Sequence, residues 1–166
     1  MRGRDELMRN KLILSIIIAG FIAFDQMLKI LAADFLKPVG QIPLIKGFLN
    51  LTYIENKGAA FGFFPGNKFI LIILTSILCA GLIWYLLRII NRSKLMIFSL
   101  VMIISGGVGN LIDRIRLGYV IDYFHVNIPA VNFDFAVFNF ADSCVTVGVI
   151  LFAASILFTK KHNGNT

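Results

Sequence analysis

The sequence predicts a mainly α membrane protein: four transmembrane helices with a small extracytoplasmic β-sheet and loops. Three observations predict it. The 166 residues are 58% hydrophobic and 15% charged, with a mean hydropathy of +0.83, whereas a soluble domain is about 45–50% apolar and about 25% charged. Four stretches, 12–31, 69–87, 95–112 and 140–158, approach the roughly 20 apolar residues that a spanning helix needs. Basic residues crowd the segments that such a topology puts on one side of the membrane. So apolar a chain is not a disordered one, and its length leaves room for a single membrane domain, 1–166.

Each element follows in chain order. Basic residues precede Leu12–Leu31, as they precede a cleaved signal peptide. The apolar core is too long for one, carries Asp25 and Lys29, and ends in no clean small-x-small site, so the segment reads as a retained span. The connection after it mixes Pro43 and Gly47 with the β-favouring run 48–54. A second such run, 119–126, follows the third span. β-branched and aromatic residues in both suit a small sheet on the outer surface, from segments at about 42–56 and 118–128. Phe61, Phe63, Phe64 and Phe69 suit the headgroup layer beside it. Arg2, Arg4, Arg9 and Lys11, then Arg88, Arg92 and Lys94, then Lys160 and Lys161 lie at the N-terminus, the second connection and the tail. All three segments are therefore expected in the cytoplasm, with both termini inside. Trp84 and Tyr85 fit an interfacial anchor at the inner end of the second span.

The net charge of +7 comes entirely from those cytoplasmic segments. Residues 1–11, 88–94 and 159–166 hold nine Lys and Arg against two acids, and the remainder holds seven of each. The excess orients the protein and meets anionic membrane lipids; no nucleic-acid partner is implied.

Ionisable groups inside spans are costly and mark function by default. Asp25 and Lys29 stand i,i+4, with Asp25 about 9 Å below the outer end of its helix at 1.5 Å per residue. They form either a structural ion pair or support for a polar site. In the third span, 105–109 offers small residues for close helix approach, and Asn110, Asp113 and Arg114 share one face at the outer boundary. A capped, solvated helix end would look similar. Asn139 and Asp142 fit an N-cap and an acid in the first turn. Asp142 also sits at a depth close to that of Asn110 and Asp113, and Asp122 lies on the nearby outer β-run among apolar neighbours. Two carboxylates meeting in a partly dry pocket share a proton, one acting as general base on water and the other as general acid. Spacing makes a meeting of Asp122 and Asp142 feasible without establishing it.

Other chemistries are poorly supplied. Two Cys and two His are too few for a zinc site or a disulfide framework. Cys79 lies mid-span and Cys144 near the outer surface, at depths that do not match for a disulfide. A Cys144 nucleophile would need His125, the one outward histidine. There is no Gly-x-Ser-x-Gly, His-Glu-x-x-His or phosphate-binding glycine loop. A transporter would carry polar residues across the membrane, yet the second span is polar only at Thr75 and Ser76. A non-catalytic scaffold is the other alternative, and it would tolerate Asp-to-Asn changes.

Five blocks in order resemble the lipoprotein signal peptidase (signal peptidase II) family of bacterial inner membranes. They are Asp25-Gln26-x-x-Lys29, 56–62 (Asn-Lys-Gly-Ala-Ala-Phe-Gly), 106–114 (Gly-Gly-Val-Gly-Asn-Leu-Ile-Asp-Arg), Val120-Ile121-Asp122-Tyr123 and Phe138-Asn139-Phe140-Ala141-Asp142. Tyr123 stands where Phe is common in that family. The resemblance implies a catalytic dyad of Asp122 and Asp142. Polar support or substrate contact would come from Asp25, Lys29, Asn56, Gly58, Asn110, Asp113, Arg114 and Asn139. It further implies an aspartic endopeptidase that cuts diacylglyceryl-modified prolipoproteins just before the lipidated cysteine. No metal or organic cofactor is implied, and globomycin-type cyclic peptides are the implied inhibitors. A monomer is expected. Gly58, Ala59 and Ala60 would leave a substrate-contacting outer loop unobstructed, with 61–64 as a flap.

Overall fold

A computed structural model of the chain describes residues 2–58, 68–90 and 93–163, without the side chains of 2, 3 and 159–163. The Phe61–Phe64 flap, Ala59, Ala60 and Arg92 fall outside the described residues. Four long helices form: α1 (Arg2–Leu31), α2 (Lys68–Arg88), α3 (Lys94–Arg116) and α4 (Phe140–Asn163). Each contains a segment long and apolar enough to cross a membrane. α1 begins ten residues before the expected span, because the arm of Arg, Glu, Leu and Met is made of good helix formers and continues the helix. At its other end it runs into a π-helical turn, Ala32–Leu36.

Small residues set the helix packing. A Cβ at Gly109 would lie 2.6 Å from Asp25 Oδ2, and one at Gly148 would lie 2.9 Å from the Ser99 carbonyl. A Cβ at Gly106 would collide with the Ala141 carbonyl. α3 therefore meets α4 at backbone distance, and the Asp25 side chain of α1, through faces that only glycine leaves open. Below this contact Leu86, Leu100, Val101 and Ile104 form a buried apolar cluster with Tyr85 and Phe152 against it.

Between the spans lies a four-stranded antiparallel sheet in the order β1-β2-β3-β4. The strands are β1 (Gln41–Ile45), β2 (Leu49–Asn56), β3 (Val120–Ile128) and β4 (Phe133–Asp134). The two β-favouring runs pair as expected, β2 with β3, in a register that sets Ile54 opposite Asp122 and Asn56 opposite Val120. The first outer segment is a hairpin rather than one strand, since Gly47 takes a φ of +74° and turns the chain back. β4 was not expected, and two residues are too short for a period-of-two pattern. A second apolar cluster of Ala32, Leu36, Ile121 and Tyr123 ties the sheet to the end of α1. This tie fixes β3 against the C-terminal end of α1.

Candidate active site

Asn139 organises the site. It is the residue before α4, and its Oδ1 accepts the Asp142 N–H at 2.8 Å while its own N–H donates to Asp142 Oδ2 at 3.1 Å. This is a reciprocal capping box with an acid in the first turn, where the helix dipole favours negative charge. The same asparagine's Nδ2 donates to Asp122 Oδ1 at 2.7 Å and lies 3.1 Å from Asn110 Oδ1. The cap and the site, open alternatives on sequence, are one structure. A single fully buried side chain ties Asp142 on α4 to Asp122 on β3.

Two more amides complete the frame. Asn110 on α3 donates Nδ2 to Asp142 Oδ1 at 2.7 Å. Asn56, at the end of β2, donates Nδ2 to Asp122 Oδ2 at 2.8 Å and accepts the Gly58 N–H at 2.8 Å. Gly58 has a φ of +88°, and a Cβ there would collide with Leu71, so the tight turn after Asn56 requires glycine. Both oxygens of each aspartate thus accept hydrogen bonds. Their surroundings differ: Asp122 is 1% exposed, whereas Asp142 is half-buried and opens onto a cavity. Burial pushes the Asp122 carboxyl up to about 6; the Asn56 amide opposes this and the Asp142 charge adds to it.

Behind the asparagines lies a buried charge cluster. Lys29 Nζ meets Asp25 Oδ2 at 2.8 Å, Asp113 Oδ2 at 2.9 Å and Asn110 Oδ1 at 2.9 Å, so its three hydrogens meet three acceptors. Asp25 Oδ1 accepts the Ala141 N–H at 3.1 Å, tying α1 to the first turn of α4. Asp113 Oδ2 accepts the Ile121 N–H at 3.3 Å, tying α3 to β3. The expected i,i+4 pair is therefore real, and it is also the base of the polar network. Arg114 joins at the edge: its Nη1 donates to the Asn110 carbonyl at 3.4 Å, and its charge acts on Asp142, Asp122 and Asp113.

Nearly all the polar residues singled out in the sequence thus form one hydrogen-bonded network, with Gly58 supporting it through Asn56. Gln26, part of the Asp25-Gln26-x-x-Lys29 block but given no role on sequence, belongs to it as well. Its Nε2 donates to Asp113 Oδ1 at 2.9 Å and to the Gly109 carbonyl at 3.2 Å. An amide beside Asp25 in an apolar helix was the available signal. Tyr123, noted on sequence only as a departure from the family's Phe, has a hydroxyl that accepts the Phe140 N–H at 3.1 Å. His125 lies outside the network and pairs with Asp134 at 2.6 Å, while Cys144 is a buried free thiol. Among the described residues no group of three His, Cys, Asp or Glu is placed to hold a metal ion.

A cavity of about 400 Å³ borders Asp142, walled by Phe135, Val137 and Phe138 on one side and by Ser143, Thr146 and Val147 of α4 on the other. The arrangement is a pair of aspartates in different surroundings, with an apolar cavity beside the more open one.

Comparison with known proteins gives the family. The family model described as signal peptidase (SPase) II matches residues 17–158. A lipoprotein signal peptidase from Caldanaerobacter subterraneus subsp. tengcongensis is 42% identical over 148 residues, covering 87% of this chain and 97% of its own. One from Streptococcus pneumoniae is 36% identical, covering 95% and 100%. A bacterial membrane enzyme solved by the in meso method at 2.3 Å superposes with a TM-score of 0.79 at 32% identity, covering 90% of each chain. The protein is a multi-pass membrane peptidase whose chain belongs to the signal peptidase II family.

Proposed function

We propose that this chain is an aspartic endopeptidase that removes the signal peptide from diacylglyceryl-modified bacterial prolipoproteins, cutting just before the lipidated cysteine. Asp122 and Asp142 form the dyad. The observation that carries the reading is the Asn139 bridge: its main-chain N–H donates to Asp142 Oδ2 and its side-chain Nδ2 to Asp122 Oδ1, and both carboxylates accept a further asparagine donor. That number of neutral donors around two carboxylates holds their geometry without neutralising either one.

The mechanism requires one carboxyl protonated and the other ionised. Desolvation raises the Asp122 carboxyl and makes it the acid, which leaves the more open Asp142 as the base. Asp142 takes a proton from a water as the water's oxygen attacks the scissile carbonyl carbon. Asp122 gives its proton to the carbonyl oxygen, which leaves a neutral tetrahedral diol. Collapse breaks the C–N bond: Asp142 returns its proton to the leaving nitrogen and Asp122 recovers one from a hydroxyl. The products are the signal peptide's carboxyl end and a free amine on the lipidated cysteine. Arg114 adds positive potential where negative charge develops. The cavity beside Asp142 admits the apolar substrate segment, and the rigid frame supplies the positioning.

The setting is the bacterial inner membrane, with both termini cytoplasmic and the dyad on the extracytoplasmic side. The basic inner segments support that orientation. Globomycin-type cyclic peptides would compete for the cavity. The test is cleavage of a diacylglyceryl-modified prolipoprotein by the purified protein, sized on a gel, with and without globomycin. Asp122→Asn and Asp142→Asn should each abolish cleavage while preserving fold. Full processing by either variant would refute the dyad.

A further inference from the structure

One wall of the cavity beside Asp142 is shared with a second pocket. Phe135, Ala136 and Val137 line both, and the second pocket also contains His125 and Asp134. This wall has little backbone support of its own. Residues 135–137 belong to no strand and follow the two-residue β4. Backbone anchors stand at its two ends: the Phe135 N–H donates to the Val126 carbonyl at 2.9 Å, and Phe138 exchanges bonds with Phe124 at 2.8 and 2.9 Å.

Side chains add to those anchors. His125 and Asn127 alternate along β3 and so project from one face of the strand, and Asp134 is the register partner of Asn127. His125 Nε2 lies 2.6 Å from Asp134 Oδ1; an ionised carboxylate only accepts, so the ring nitrogen donates. This bond is the main cause holding the Asp134 carboxyl below its ordinary value of 3.8, and the Asn127 side chain adds to it. Asp134 directly precedes Phe135, so a fixed carboxylate fixes the point where the wall begins. From there the Phe135 ring stacks on Phe133 at 6.3 Å and meets Phe138 edge-on at 5.8 Å. The Asp134 side chain is 67% exposed, and an exposed pair adds little to global stability. Its place in the fold is what gives it a role. A second exposed pair on the sheet, Lys37 with Glu55 at 2.9 Å, adjoins no residue of that cavity.

We propose that His125 and Asp134 are a positioning pair for the peptidase: their bond clamps the start of the 135–138 wall and so sets the width of the cavity that receives the apolar substrate segment. This inference rests on the peptidase reading above. Neither side chain reaches the two aspartates of the dyad, so the pair acts on substrate binding and leaves the hydrolytic step alone.

Cleavage of a diacylglyceryl-modified prolipoprotein would be timed for His125→Ala, Asp134→Ala and the double variant. Hydrogen exchange of the 133–138 segment would be followed in parallel by mass spectrometry in detergent. Each single variant should raise KM on the order of fivefold, with kcat within about twofold of wild type. The double variant should be no worse than either single one, because all three lose the same bond. Exchange in the segment should rise in all three. Asp134→Asn keeps an acceptor and His125→Gln keeps an N–H donor, so both should stay near wild type. Lys37→Ala breaks the other exposed pair and should move neither readout. Additive KM effects, a loss confined to kcat, no rescue by the conservative variants, or unchanged exchange would overturn the proposal. No cleavage by wild type would instead refute the peptidase reading, and with it the role in substrate binding; the exchange data would still decide whether the pair clamps the wall.

Discussion

Replacing Lys29 with methionine keeps much of the side chain's length and removes its charge, and the structure sets the expected cost. Lys29 is 2% exposed and is the countercharge to two carboxylates, Asp25 at 2.8 Å and Asp113 at 2.9 Å. Three charges summing to −1 become two like charges with no partner in a buried site. Each carboxylate keeps neutral donors: Ala141 N–H and Gln26 for Asp25, Ile121 N–H and Gln26 for Asp113. Stripping one partner from a buried pair costs about 3–5 kcal/mol, a large part of a native stability of about 5–15 kcal/mol. For a chain of this size that lowers the melting midpoint by roughly 6–20 °C, at about 2–4 °C per kcal/mol. Cys79 and Cys144 are free and buried, so a thiol-reactive dye reads unfolding directly in detergent. Adding Asp25→Asn to Lys29→Met should recover part of the loss, because it removes one of the uncompensated charges. A Lys29→Met variant melting within about 2 °C of wild type would refute the argument that this lysine holds the cluster together.

Other predictions follow from the same geometry. Gly106→Ala should destabilise by about 1–3 kcal/mol, read as a lower midpoint with the same dye, because its methyl meets the Ala141 carbonyl in the α3–α4 contact. Cleavage should fall as pH rises through about 6, as the dyad loses the proton held by Asp122. Asn56→Ala removes a donor that favours the charged form, so the falling limb of its pH–rate profile should move to higher pH; a downward move would contradict the assignment. The Asp122 carboxyl lies above its ordinary value of 3.8 in the fold, so its contribution to stability is full below about pH 4 and declines as pH rises through about 6, measurable by unfolding across that window. With Cys79 and Cys144 replaced, Lys57→Cys should label from outside intact cells and Ser93→Cys should not; the reverse pattern would invert the proposed orientation.

Sequence alone determined the spans, because crossing a membrane imposes a length and composition that show locally: about 20 apolar residues with polar ones confined to a few positions. The same local logic picked out the two paired β-runs and the intramembrane polar residues, since each stands out against its neighbours. Tertiary structure decided which of those residues meet. Asp122 and Asp142 are 20 positions apart on different elements, and their link runs through an asparagine that on sequence is an ordinary helix cap. The Lys29 cluster joins groups more than 80 residues apart, and Gln26 enters it only by reaching from α1 to Asp113 and the Gly109 carbonyl on α3. The two-residue β4 likewise depends on its partner β3 rather than on its own pattern. Composition and periodicity record how a residue faces its solvent, lipid or water. Which residue it faces across a gap is set by packing, and in this protein the glycines of α3 and the register of β3 set it.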